Sequence, residues 1–287
     1  MGPGAFVVRF LIAVLALGVF TLATLTGLGW MALETPRRRA VTDFAAATDS
    51  ASLARGRVLA TAGCSCHGNS EGTLSGSPQP LFDDLPLGTL WAPNLTPGGS
   101  LGRYSNGELA RAIREGLDAN GRPLALMPSR LFREMSDADL AATLGFLRAQ
   151  PAVAHRVPAR HLGPLHYLLV STRVLPSPVQ PRIAGHVSGP MPQPDPGYGR
   201  YMSRILRCVE CHGDDLEGGR AGRFRAEPGP ELVLAAHEGS YQAFARAVRE
   251  GVGSDGRRLQ PHVVPWCFYS LLGDDELRAI YEFIRAS

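Results

Sequence analysis

The strongest constraint on this chain is that its second half repeats its first. Residues 110–116 (Ala-Arg-Ala-Ile-Arg-Glu-Gly) recur as 245–251 (Ala-Arg-Ala-Val-Arg-Glu-Gly), an offset of 135, and Gly121 and Arg122 recur as Gly256 and Arg257. Downstream, residues 137–149 match 274–286 at an offset of 137. An internal duplication with small changes in loop length explains both offsets, and it predicts two copies of one supersecondary unit. Each copy carries helical signals. Leu109, Ile113 and Leu117 lie on one stripe of an expected helix over 106–116. Ser136, Asp137 and Asp139 mark the start of another over 136–150, with Leu140, Leu144 and Leu147 at helical spacing. A helix over 52–62 precedes a Gly-, Pro- and Ser-rich loop over 69–103.

Ahead of each repeated segment sits a cysteine pair followed by histidine. Cys208, Cys211 and His212 form C-x-x-C-H, in which two thiols add to the two vinyl groups of a haem while the adjacent imidazole ligates its iron. The first half has Cys64, Cys66 and His67, and His67 and His212 stand 145 apart. That first motif is one residue short. With His67 in place, Cys66 occupies the second thioether position, whereas Gly63 occupies the first. Three outcomes are open: the loop strains so that Cys64 reacts, the haem hangs from Cys66 alone, or no covalent haem is installed. A Cys64–Cys66 disulfide is disfavoured by ring strain. Four of the five cysteines are thus assigned to cofactor attachment, and Cys267, left over, reads as a small buried apolar residue.

Residues 10–33 carry no charge, and 24 residues at 1.5 Å each span the roughly 30 Å core of a bilayer. With Arg9 before it and Arg37, Arg38 and Arg39 after it, this stretch is expected to be an uncleaved transmembrane anchor, with a cleaved signal peptide as the alternative. The arginine triplet alone would place the following side in the cytoplasm. Covalent haem attachment happens outside it, and that chemistry takes precedence. The expected organisation is an anchor (1–36), a tether (37–50), a first domain (51–152), a Pro-rich connector (153–196) and a second domain (197–287). Within the connector the apolar run 162–175 is expected as a helix or extended arm against the haem domains. A formal net charge of +3 gives no basis for nucleic-acid binding.

Helix, haem motif, Pro-rich loop, helix, Met-Pro loop and C-terminal helix, in that order, resemble the class I cytochrome c fold. The residues that carry the likeness are Pro93, Asn94, Leu95, Thr96 and Pro97, the Arg-Glu-Gly segments ending at Gly116 and Gly251, Met127 with Pro128, and the two haem motifs. The duplicated layout is similar to membrane-attached cytochrome c subunits of alcohol, aldehyde and sugar-acid dehydrogenases, in which three such modules are common; this chain has two. The resemblance implies an all-α protein with two cytochrome c-like haem domains in tandem after one N-terminal transmembrane helix, carrying two covalently attached haem c groups. It further implies His67 and Met127 as axial ligands of the first iron, and Asn94 as a partner of a haem propionate.

For the second iron His212 is the proximal ligand and the distal one is open. Met127 plus 135 falls on His262, whereas Met127 plus 137 falls on Val264, which precedes Pro265 as Met127 precedes Pro128 and cannot ligate. His262, a thiolate from Cys267, or an open coordination position are the alternatives. His155, His161, His166, His186 and His237 lack metal-ligand spacing. Arg122, Arg257 and Arg258 suit either propionates or solvent.

The expected function is single-electron transfer in the periplasm of a bacterial inner membrane. The partners would be a dehydrogenase or quinol-oxidising complex on one side and a terminal acceptor on the other. The alternatives are a dihaem redox enzyme of peroxidase or thiosulfate-oxidising type, or a gas sensor, working at the haem that lacks Met ligation.

Overall fold

In the computed structural model, residues 3–69, 72–83, 86–218, 229–260 and 265–287 are described, and the chain is mostly helical. Helix α1 (Pro3–Glu34) contains the uncharged stretch and extends beyond it at the N-terminal side. Among the described residues it is the one helix long and apolar enough to cross a membrane, and none of its apolar window is buried inside the protein.

The first repeat opens with α2 (Ser50–Gly63), started by Asp49, whose carboxylate accepts a hydrogen bond from the Ser52 amide at 2.9 Å. A short strand β1 (Gly88–Thr89) lies in the loop that follows. Helix α3 (Asn106–Glu115) begins with a reciprocal capping box between Ser105 and Glu108 and ends at Gly116, left-handed at φ 72°. After α4 (Ser129–Phe132) comes α5 (Asp137–Ala149), capped by Ser136 as its sequence signal predicts. The connector supplies β2 (His161–Leu162), antiparallel to β1, and α6 (Pro164–Ser171). The second repeat contains α7 (Pro196–Ile205), α8 (Cys208–His212), α9 (Leu232–Glu238), α10 (Tyr241–Glu250), α11 (Trp266–Tyr269) and α12 (Asp274–Ala286).

The duplication persists in the backbone. Helices α3 and α10 are 135 residues apart, as are the isolated bridges Leu117–Pro123 and Val252–Arg258; α4 and α11, like α5 and α12, are 137 apart. In each repeat the first helix crosses the last, α2 on α5 and α7 on α12. The crossings use the same device. A Cβ at Gly56 would lie 1.9 Å from the Ala142 carbonyl oxygen, and one at Gly199 would lie 1.9 Å from that of Ala279, so only glycine lets the backbones meet.

The Arg-Glu-Gly segments explain themselves in the same way. Arg114 reaches the Met135 carbonyl at 2.5 Å and the Asp137 carboxylate at 2.6 Å, latching α3 to the start of α5. Its counterpart Arg249 reaches the Leu272 carbonyl at 2.9 Å and Asp274 at 3.9 Å.

The repeats share one continuous hydrophobic core that runs from Leu59, Leu140 and Leu144 to Tyr198, Leu277 and Ile284. Their seam is reciprocal: α2 touches α11, and α7 touches α4. Arg55 of α2 spans it, hydrogen-bonding Asp139 of α5 at 2.9 Å and Glu276 of α12 at 3.1 Å.

Residues 37–50 are a strap bound across the first repeat: the Arg37 amide donates to Gly121 O at 2.7 Å, the Ala47 amide to Ala141 O at 2.9 Å, and Arg39 pairs with Glu115 at 3.0 Å. The connector binds the same repeat, with the Asp137 amide donating to Val187 O at 2.8 Å and the Gln180 amide to Glu115 O at 3.0 Å. The apolar run expected to lie against the haem domains forms α6, which packs on the last turns of α1 and on Phe82. At that junction Glu34 accepts from Arg122, from Arg160 at 3.1 Å and from the Tyr167 hydroxyl at 3.2 Å.

Candidate haem sites at the seam of the repeats

Each motif histidine is held by a proline carbonyl from a later loop. His67 Nδ1 lies 2.8 Å from Pro93 O, and His212 Nδ1 lies 2.9 Å from Pro230 O. A carbonyl only accepts, so Nδ1 carries the hydrogen and the Nε2 lone pair is left for a metal; outer partners of this kind orient ligating imidazoles. Burial lowers both imidazoles, His67 to about 4, which keeps them neutral. Burial also pushes the Cys64 and Cys208 thiols up to about 12 and raises Cys211, so all three are thiols rather than thiolates.

In the first repeat a narrow internal cavity is lined by Leu59, Gly63, Cys64, Ile113, Met127 and Phe132, among others. Met127 and Cys64 therefore face one space, next to the helix end that carries His67 at its tip, Ser65–His67. Met135, the rival methionine, is 3% exposed in the core and its sulfur receives the Thr143 hydroxyl at 3.8 Å. Thioether and thiol thus line one space, and together with the His67 imidazole these are the donor types that a c-type haem uses. Cys66 is placed differently: its Sγ accepts from Arg207 Nη1 at 2.9 Å, across the seam.

Asn94 is engaged elsewhere. Its amide donates to the carbonyls of Val153 at 2.8 Å and His155 at 3.1 Å, and its Oδ1 accepts from the Thr96 amide and hydroxyl, fastening the Pro-rich loop to the connector. In this arrangement both amide hydrogens are used within the protein, so the side chain acts as a loop clamp.

In the second repeat α8 presents Cys208, Cys211 and His212 on a single short helix, where the first motif splits between a helix cap and a 3-10 turn. His262 and Val264 lie outside the described residues. Pro265 repeats the backbone of Pro128 (φ −77°, ψ 53° against φ −79°, ψ 48°), and Cys267, expected to be buried, is instead exposed on α11. Arg122 pairs with Glu34, Arg257 with Asp255 at 2.5 Å, and Arg258 stacks over the Trp266 ring. His155 binds Ser75 O at 2.7 Å, His186 pairs with Asp137, and His166 is buried against Phe82. Among the described residues no cluster of three or more His, Cys, Asp or Glu has metal-binding geometry.

Three features of the site escape sequence reasoning: the two proline carbonyls, Arg207, and Tyr269, whose hydroxyl donates to Leu206 O at 3.0 Å beside the second motif. For the prolines no spacing marks the role, since Pro93 and Pro230 follow their histidines at unequal distances of 26 and 18 residues. For Arg207 only its place directly before Cys208 was visible.

No protein-family model matches the chain. A nicotinate dehydrogenase subunit of Pseudomonas putida is 38% identical over 118 residues, 39% of this chain and 10% of that protein. The gluconate 2-dehydrogenase cytochrome c subunit of Pantoea cypripedii is 32% identical over 97 residues, 30% of this chain and 21% of the relative. The fructose dehydrogenase cytochrome subunit of Gluconobacter japonicus is 26% identical over 128 residues, 41% and 25% respectively. The matches thus span between a tenth and a quarter of the relatives' own length. Within those matched portions, the chain is a homologue of the cytochrome c subunits of dehydrogenases.

Proposed function

We propose that the protein is a membrane-anchored dihaem c-type cytochrome that passes single electrons between a dehydrogenase or quinol-oxidising partner and a terminal acceptor. The observation that carries this reading is the twice-repeated tie of a motif histidine to a proline carbonyl, at 2.8 and 2.9 Å, each beside its own cysteine pair. When bound, haem supplies a one-electron iron couple at each site. The chain's residues do the rest. His67 and His212 would ligate the irons, and Met127 would supply a thioether that favours the reduced form and raises the potential. The core around Leu59, Ile113 and Phe132 excludes water from the first site, and α1, as an uncleaved anchor, holds both at the periplasmic face of the inner membrane. In this reading each half carries one haem, the halves are joined by their shared core, and the chain is an electron-transfer subunit with no bond-making chemistry of its own.

A pyridine haemochrome assay on the purified protein, combined with intact mass, tests this reading. Two haems per chain are expected. One haem, or none, refutes it, and the position of the α band reports whether the first haem has one thioether or two.

A further inference from the structure

Arg207 occupies a position that nothing in the repeat requires. It immediately precedes Cys208, and with the two histidines aligned its counterpart is Ala62, so the first repeat has no corresponding cation. Its backbone is left-handed at φ 69°, one of three described non-glycine residues with positive φ, and side chains rarely adopt that conformation without a compensating contact. The compensation is visible. The guanidinium, with only 20% of its side chain exposed, donates from Nη1 to Cys66 Sγ at 2.9 Å and from Nε to Glu210 Oε2 at 2.6 Å. One end thus lies on the attachment cysteine beside His67, and the other on the residue between Cys208 and Cys211. Once a haem is attached at Cys66, the sulfur in that contact is a neutral thioether, a weak acceptor. The arginine then remains as a charge between the two sites, offset within the protein by Glu210.

We propose that Arg207 is a positioning and potential-setting residue shared by both haem sites, its charge favouring the reduced form at each and joining the two attachment motifs into one redox unit. This rests on the dihaem reading above. A buried positive charge opposes oxidation, because the oxidised centre carries one more positive charge. At a separation of about 10 Å and an effective dielectric of ~20 the effect is roughly tenfold in the reduction equilibrium, equivalent to about 59 mV for a one-electron couple. Intramolecular transfer, in which one iron is oxidised as the other is reduced, then proceeds between sites whose potentials move together.

The test is a visible redox titration of the full-length holoprotein and of four variants, each first checked for haem content. R207Q and R207G are expected to lower both midpoints by about tenfold in equilibrium constant. R207G also removes the left-handed strain, so a shared shift in the two separates charge from backbone. R207K should stay near the unsubstituted protein, and E210Q should raise both midpoints. Unchanged midpoints in R207Q, or a shift confined to one haem, would overturn the proposal. If the Arg207 variants do not assemble, E210Q decides: an upward shift of both midpoints supports the proposal and any other result refutes it. A single haem in the unsubstituted chain sinks the dihaem reading instead, so the two failures are distinguishable.

Discussion

The two repeats carry equivalent helices and the same Arg-Glu-Gly segment, yet the arginine is worth different amounts in each. Arg114 is 4% exposed, its ion pair with Asp137 is 2.6 Å long, Phe44 of the strap stacks on it, and His186 and Val187 of the connector close over Asp137. Arg249 makes the matching contacts at the surface, with side chains 30% and 58% exposed and 3.9 Å apart. A local signal repeated in sequence therefore gives a buried latch where other chain covers it and a solvated pair where none does. Burial by the strap and connector, rather than the helices themselves, makes the difference.

The largest expected contrast concerns the distal ligands. Replacing Met127 by Leu should open the first iron, converting a ferrous spectrum indifferent to carbon monoxide into one that binds it stoichiometrically. H262L should do the same for the second iron. If the unsubstituted protein already binds one equivalent of carbon monoxide and H262L adds none, His262 is not a ligand and the second site is open or held by Cys267.

A smaller contrast tests the latches. R114A should cost about 3 kcal/mol, because it strands a buried carbonyl and a partly buried carboxylate, whereas R249A should leave the melting temperature essentially unchanged. Equal losses from the two variants would show that the strap and connector do not shield the first repeat.

The smallest effect is one of pH. Burial, with Arg160 nearby, pushes the His166 imidazole down to about 4 from an ordinary value of 6.5, as burial also lowers the motif histidines His67 and His212. The unfolded chain binds the proton more readily between those values, so stability is complete above pH 6.5 and falls as pH drops toward 4. Between pH 6.5 and 5.5 the loss should be about 1 kcal/mol, read by thermal melts, and H166F should flatten that segment of the profile. An unchanged slope in H166F would place the titrating group elsewhere.

Much of the scaffold was legible. The expected helices over 52–62, 106–116 and 136–150 appear as Ser50–Gly63, Asn106–Glu115 and Asp137–Ala149, because caps at Asp49, Ser105 and Ser136 are local chemistry written in adjacent residues. The tether and the apolar run of the connector were harder. Residues 37–50 look like a polar linker, and nothing local shows that Arg37, Arg39 and Ala47 bind across the first repeat. Residues 162–175 are apolar, which says that they are covered but not by what; α1 is the partner found. Asn94 illustrates the same limit at the site, since a family resemblance points its amide at a cofactor while the fold gives it two connector carbonyls.

By itself the sequence determined the duplication, the placement of a cysteine pair and a histidine in each half, and one helix able to cross a membrane. All three are patterns of neighbours along the chain, set by covalent order and helical period. Only the tertiary structure decided that the two motifs meet at a shared seam, that Arg207 stands between Cys66 and Glu210, and that the strap and connector wrap the first repeat. Those outcomes depend on contacts between residues up to 221 positions apart, which form only when separate apolar faces bury each other into one core.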